Sequence, residues 1–202
     1  MAYHIVRLTD MLDQLGESEV VRILSEFSCS HLNSDVEYYL KTKAIEFDRM
    51  HIAKTQIVFM KYKGVLKLVG YFTLSFKNIT VTEKHLSKSI RKKIHRMASR
   101  DQDLRCFVIP CPLIAQIGKN YTDGLNKLIT GSELLKMACQ RVAQTQQDLG
   151  GKTVYLECED KPKLIEFYEN NGFSRFGERD IDRDETDRLC GQYLVQMLKV
   201  IT

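Results

Sequence analysis

The second half of the chain switches repeatedly between two hydrophobic periods, and that alternation confines it to layered α/β architectures. Between Thr130 and Gln147, Leu134, Leu135, Ala138, Cys139 and Val142 recur on one helical face. Thr130 and Glu133 stand at capping-box spacing before this face, and Gly150-Gly151 ends it. On either side lie strand-like runs, Cys106–Ile117 closed by Gly118 and Thr153–Glu157. Pro110 and Pro112 predict an irregular or edge-like first half for the earlier strand, because proline donates nothing to a ladder. A short helix is predicted over Pro162–Asn171, with Pro162 suited to its first turn and Gly172 to the C′ position. Leu194–Ile201 reads as a closing strand, and Ile181–Cys190 as a polar hairpin turn.

The first half is simpler. Val20, Val21, Leu24 and Phe27, then Val36, Tyr39, Leu40 and Ala44, repeat at helical spacing. Gln56–Tyr62 and Leu66–Phe76 are rich in β-formers and flank Lys63-Gly64, so an antiparallel hairpin is predicted. The following segment, 82–105, is predicted to be a basic helical insert. Residues 81–105 hold eight Lys/Arg against three Asp/Glu, so a chain of net charge +4 carries +5 there and −1 elsewhere. Lys84, Lys88, Arg91, Lys92 and Arg96 can share one helix face. That face is either an ordinary solvated one or an attractor for an anionic partner such as RNA.

No linker or repeat divides the 202 residues, so one domain with N-terminal helices over 10–50 is expected. No run reaches the roughly 18 apolar residues of a membrane helix, and residues 1–10 lack a signal-peptide pattern. A cytoplasmic location without membrane contact is the default expectation. The six cysteines are scattered without a C-x-x-C pair, which fits reduced thiols rather than a zinc site. Asp180, Asp182 and Asp184 imitate a calcium loop, but Glu185 and Gly191 occupy the positions where that loop needs Gly and Glu.

Three segments carry chemistry. The first runs from the strand end Leu113–Gly118 through Lys119–Thr130 into Gly131-Ser-Glu-Leu-Leu135. A helix start offers unpaired N–H groups and partial positive charge to a diphosphate, and Lys119 and Lys127 add to it. The second is the strand Val154-Tyr-Leu-Glu-Cys-Glu-Asp160. The third is Lys163-Leu-Ile-Glu-Phe-Tyr-Glu-Asn-Asn-Gly-Phe173.

Together these segments resemble the GNAT (Gcn5-related) N-acetyltransferases, most closely the group encoded by Gram-positive bacteria and their mobile elements. The resemblance covers about residues 50–202. It implies a mixed, mostly antiparallel sheet with a V-shaped splay, helices on both faces, and acetyl-CoA as cosubstrate with no metal. The family's pyrophosphate loop, Q/R-x-x-G-x-G/A, falls on Asn126 to Gly131, with Asn126 at the Q/R position and Ile129 in place of the first glycine. Cofactor contacts are therefore expected from Ile117, Lys119, Asn126, Lys127, Ile129, Thr130, Gly131 and Ser132. The plainer reading of this segment is a capped helix following a strand.

The third segment matches the family's Phe-Tyr-x-x-x-Gly-Phe almost letter for letter. The match puts Tyr168 at the position whose phenol protonates the departing CoA thiolate. The implied reaction is direct attack of a primary amine on the thioester, with backbone N–H groups near Ile117 stabilising the oxyanion. Glu157 and Glu159 are candidate proton acceptors by location, and strand alternation puts both on one face with Tyr155. Cys158 has no histidine partner in sight, and the family needs no covalent intermediate.

The acceptor amine is not legible. Ile52–Phe59 and Val69–Ser75 look like the same region of GNAT toxins that acetylate aminoacyl-tRNA. With residues 84–105 this makes tRNA one acceptor to consider. The same segments also fit a non-catalytic module that binds CoA or nucleic acid. A homodimer is as compatible with the sequence as a monomer.

Overall fold

The computed structural model describes residues 2–29, 31–82, 99–101, 106–181 and 191–201. Its elements, in chain order, begin with β1 (Tyr3–Arg7), α1 (Leu8–Leu15), α2 (Glu17–Ser25), α3 (Ser34–Tyr38), a π-helical turn (Tyr39–Lys43) and α4 (Ala44–Arg49). The hairpin β2 (Lys54–Tyr62) and β3 (Val65–Thr82) follows, then β4 (Ser99–Asp101) and β5 (Cys106–Lys119). A 3₁₀ turn (Thr122–Lys127) leads into α5 (Gly131–Leu149), and β6 (Thr153–Glu159), α6 (Pro162–Asn170), β7 (Ser174–Asp180) and β8 (Tyr193–Val200) complete the chain. The strands are ordered β1-β2-β3-β5-β6-β8-β7, with β4 paired to β5 off this path. The pairings with a described register are antiparallel except β5 with β6.

The described residues form two compact units. One comprises Met1–Ser75 with Ile114–Ala138, the other Phe76–Leu113 with Cys139–Thr202. In the first unit, helices cover both faces of the sheet. A Cβ placed on Gly70 would meet Leu134 of α5, while Tyr71, the next residue of β3, donates its hydroxyl to the Val36 carbonyl of α3 at 2.5 Å. Leu8, Val20, Leu24, Phe27, Leu40, Ala44 and Ile57 fill the core between α1–α4 and the strands. The helical spacing of the first half thus corresponds to buried positions, Val21 excepted, which is 46% exposed.

In the second unit, Ile79, Val81, Phe107, Ile109, Tyr155, Phe176 and Leu198 make the core. The β6–β8 ladder runs through seven pairs, whereas β5 and β6 are registered at the single pair Leu113↔Tyr155. On the edge that meets β4 and β6, the two prolines of β5 fall between partners: pairing with β4 ends at Val108, and the parallel pair comes just after Pro112.

Three expectations need correction. Residues 3–7 are strand β1 and residues 174–180 are strand β7, neither of which is predicted from the sequence. Helix over 82–105 fails at both described ends. Thr82 closes β3, and Ser99 and Arg100 pair with Val108 and Phe107, an extended partner that fixes them as strand. The rest of the basic segment, Lys84, Lys88, Arg91, Lys92 and Arg96 included, lies outside the described residues, as do 182–190 of the hairpin connection. That connection joins antiparallel neighbours, since Asp180 is registered with Tyr193.

Candidate active site

The first unit holds a strand edge, a loop and a helix start. Asn120, just past β5, donates its backbone N–H to the Val69 carbonyl of β3 at 2.9 Å. Strand backbone alternates every two residues. Gly118 therefore directs its N–H towards β3 as well, and Ile117 and Lys119 direct theirs to the opposite edge. Asn120 is 1% exposed and fully used. Its amide oxygen accepts from the N–H of Ser28 and Thr122, at 3.0 and 3.1 Å, and its amide nitrogen donates to the Leu68 and Glu26 carbonyls. One short polar side chain thus ties the end of β5 to β3 and to the segment after α2. Sequence reasoning missed it, and its only signal is an Asn directly after a strand.

The loop beyond is closed by Lys119, whose Nζ donates to the Asn126 carbonyl at 3.2 Å and lies 5.6 Å from the Tyr121 ring centroid. Asp123 and Gly124 turn the chain with φ of 51° and 75°. Lys127 is exposed. The Ile129 side chain is 2% exposed and anchors the loop in the core.

The capping box forms as predicted. The Thr130 hydroxyl accepts from the Glu133 N–H at 3.1 Å, and the Glu133 carboxylate accepts from the Thr130 N–H at 2.8 Å. The Thr130 N–H is thus engaged within the chain. The N–H groups of Gly131 and Ser132 have no partner among the described residues, as the first turn of a helix requires. Tyr3 of β1 pins this corner, donating its hydroxyl to the Leu128 carbonyl at 2.9 Å and approaching Glu133 at 3.3 Å. The Thr130 bonds, and to a lesser extent Tyr3, hold the Glu133 carboxyl below its ordinary range.

In the second unit, the local sequence of α6 fixes Tyr168. Gly172 takes φ of 84°. Its N–H bonds the Glu169 carbonyl at 2.9 Å, and the Phe173 N–H bonds the Tyr168 carbonyl at 3.0 Å. This is a Schellman motif. Its usual apolar contact is present too, Phe173 lying edge-on to Tyr168 at 5.9 Å. Lys199 of β8 donates to the Asn171 carbonyl at 2.8 Å and stands over the Phe173 ring. The Phe-Tyr-x-x-x-Gly-Phe pattern is thereby explained: the glycine and final phenylalanine lock the helix end that carries the tyrosine. Tyr168 is 6% exposed, and its hydroxyl makes no hydrogen bond among the described residues. Burial, with a smaller contribution from Cys158, pushes the phenol well above its ordinary pKa.

Glu157 has three donors. Tyr155 bonds Oε1, Lys77 reaches Oε1 at 3.2 Å, and Arg179 Nε reaches Oε2 at 3.0 Å. Burial raises the carboxyl's pKa, but these donors outweigh it and hold Glu157 below its ordinary range. Gln196 extends the network by donating to the Tyr155 hydroxyl at 2.9 Å. Gln196 also lines a cavity of about 580 Å³ with Thr80, Val81, Arg175, Phe176, Gly177 and Glu178. Glu159 is 7% exposed and pairs with Lys161 at 2.6 Å. Burial, then the charge of Asp160, raises the Cys158 thiol to about 12, so it carries no nucleophilic thiolate at neutral pH.

No family model and no curated protein matches the chain. Solved structures do. AtaT complexed with acetyl-methionyl-tRNAfMet is similar at TM-score 0.61 and 19% identity, covering 96% of this chain and 94% of that one. A mutant of KacT with a tyrosine changed to phenylalanine is similar at TM-score 0.61 and 17% identity, again over 96% and 94%. A tyrosine-to-phenylalanine mutant of the AtaT toxin gives TM-score 0.59 and 18% identity over 86% and 82%. At such identities the likeness establishes the fold, which is the GNAT fold. No described helix is long and apolar enough to cross a membrane.

Proposed function

We propose that this chain is an acetyl-CoA-dependent N-acetyltransferase that moves the acetyl group onto a primary amine by direct attack. The observation that carries the reading is Tyr168: a nearly buried, locked phenol whose hydroxyl is uncommitted among the described residues, on a chain with the fold of AtaT and KacT. The buried phenol holds its proton at neutral pH, and the same dry surroundings make the departing thiolate more basic, so the proton can pass to sulfur. The N–H groups of Gly131 and Ser132, with Lys127 and Lys119 nearby in sequence, bind the CoA diphosphate. The outward N–H of Ile117 receives the oxyanion as the thioester carbonyl becomes tetrahedral. Acetyl-CoA is consumed and no metal takes part.

In this reading Glu157 is not the proton acceptor. Two cations and a phenol already satisfy its charge, so it fixes Tyr155 and β7 instead.

A specific acceptor is also favoured. AtaT has been captured with acetyl-methionyl-tRNAfMet, and that structure spans 96% of this chain. The α-amino group of an aminoacyl-tRNA is a primary amine, and residues 84–105 supply a basic contact for the RNA. The protein then works in the cytoplasm, where charged tRNA and acetyl-CoA are both present.

The test has two steps. Acetyl-CoA at millimolar concentration should raise the Tm of the protein, because a ligand of the folded state stabilises it. Acetyl transfer from radiolabelled acetyl-CoA to charged tRNA and to amino-acid amides should then fall by about 10²-fold or more in Tyr168→Phe. Absence of any Tm shift would favour a binding module without chemistry, and full activity of Tyr168→Phe would remove the phenol from the mechanism.

A further inference from the structure

The open question at this site is what receives the amine. The first unit offers a carboxylate that the sequence did not point out. Asp35 of α3 accepts a hydrogen bond from Gln116 Nε2 at 2.8 Å, across 81 residues of sequence. Gln116 immediately precedes Ile117 on β5. A Cβ on Gly118 would meet Val36 and Phe27, so the side-chain direction of residue 118, and by alternation of residue 116, is the face covered by α3. Asp35 is therefore held over β5 one residue from the outward N–H of Ile117.

Its charge is available. Gln116 is neutral, and no cation pairs with Asp35 among the described residues. Glu157, by contrast, is held by Lys77 and Arg179. The titratable groups around Asp35 are otherwise silent at neutral pH. Tyr71 of β3 is pushed far above its ordinary value by burial. Burial, then the charge of Glu37, raises the Cys29 thiol, after α2, to about 12. On α3 itself, the Glu37 carboxylate accepts from the Cys29 N–H and pairs with Lys41.

Geometry admits the same group. A thioester lying along the β5 edge that carries the Ile117 N–H, as an added strand would, has its carbonyl plane in the sheet. A nucleophile must then arrive from above or below that plane. On the face covered by α3 it passes the Asp35–Gln116 pair.

We propose that Asp35, steadied by Gln116, is the acceptor-amine site: it draws a cationic amine and, once that amine has lost one proton to water and attacked, takes the excess proton left on the nitrogen. This rests on the acetyltransferase reading above. The acceptor class it implies is an amine that is cationic in solution, which an amide or hydroxyl acceptor is not. The balance is simple. The ammonium first gives one proton to water, the freed electron pair forms the C–N bond to the carbonyl carbon, and the nitrogen's second proton passes to the Asp35 carboxylate. The C–S bond then breaks with its pair on sulfur, which is protonated by Tyr168. Asp35 returns its proton to water.

The experiment compares wild type with Asp35→Asn, which keeps the bond to Gln116, and with Gln116→Leu, which keeps the carboxylate. Tm with and without acetyl-CoA is read first. Transfer to charged tRNA and to amino-acid amides is then followed, with kcat and KM for the amine read separately. Asp35→Asn should bind acetyl-CoA with an unchanged Tm shift yet transfer at least 10²-fold more slowly. Gln116→Leu should raise the KM for the amine several-fold and leave kcat within threefold of wild type. Transfer by Asp35→Asn within threefold of wild type overturns the proposal, as does wild-type binding of acetyl-CoA without transfer to any amine. Should Asp35→Asn fail to fold, an unchanged amine KM in Gln116→Leu overturns it equally. No acetyl-CoA shift in wild type would instead sink the underlying enzyme reading.

Discussion

A Cβ added at Gly118 would lie 2.5 Å from Val36 Cγ1 and 3.2 Å from Phe27 Cζ, with Tyr71 behind them. Across the sheet the situation repeats, since a Cβ on Gly70 would stand 2.9 Å from the Gly118 carbonyl oxygen. These two glycines are needed for close approach, not for unusual backbone angles. Gly118→Ala should cost about 1–3 kcal/mol, the range for forcing a methyl into a filled core. A denaturant melt would read this as a lower midpoint at unchanged m value. Retention of wild-type stability would mean α3 can move away from β5, and would loosen the argument for Asp35 with it.

At the scale of elements, helix α5 shows what a local signal can and cannot convey. Thr130 and Glu133 announce the capping box, and the structure contains it. Thr130→Ala should therefore lower stability by about 1 kcal/mol, measurable as a Tm drop of a few degrees. An unchanged Tm would show that Tyr3 alone can hold the helix start. The same locality explains which elements were legible. The hairpin β2–β3, the strand–helix–strand run from β5 to β6, and α6 bury enough side chains to leave a period in the sequence. The strands β1 and β7 did not, and both are edges of the sheet. β7 buries only Phe176 and otherwise presents charges, the usual protection of an unpaired edge. The candidate site was legible in the same unequal way. Tyr168 and the α5 start sit in contiguous patterns. Those patterns do not tell that the Ile129 side chain is buried or that the Thr130 N–H is held by Glu133. Asp35 and Asn120 bond partners dozens of residues away, and no window of sequence brings those together.

At the scale of the whole molecule, the buried network around Glu157 links β3, β6 and β7 through Lys77, Tyr155 and Arg179. Because its donors hold the folded carboxyl below its ordinary value of 4.5, its stabilisation is complete above that pH. It is lost as pH falls through the lower folded value. Glu157→Gln should thus be destabilised by about 2 kcal/mol at pH 7, the scale for hydrogen bonds to a charged group. The difference from wild type should shrink towards pH 3. Equal stability of the two proteins at pH 7 would show that the cations are as well served by water.

Tyr3 has a practical meaning for anyone handling the protein. Its hydroxyl anchors the corner at Leu128 and Glu133 from strand β1. An affinity handle or fluorescent fusion that displaces β1 would pull on the turn proposed to hold the cofactor diphosphate, and weak CoA affinity in such a preparation should first be blamed on the tag.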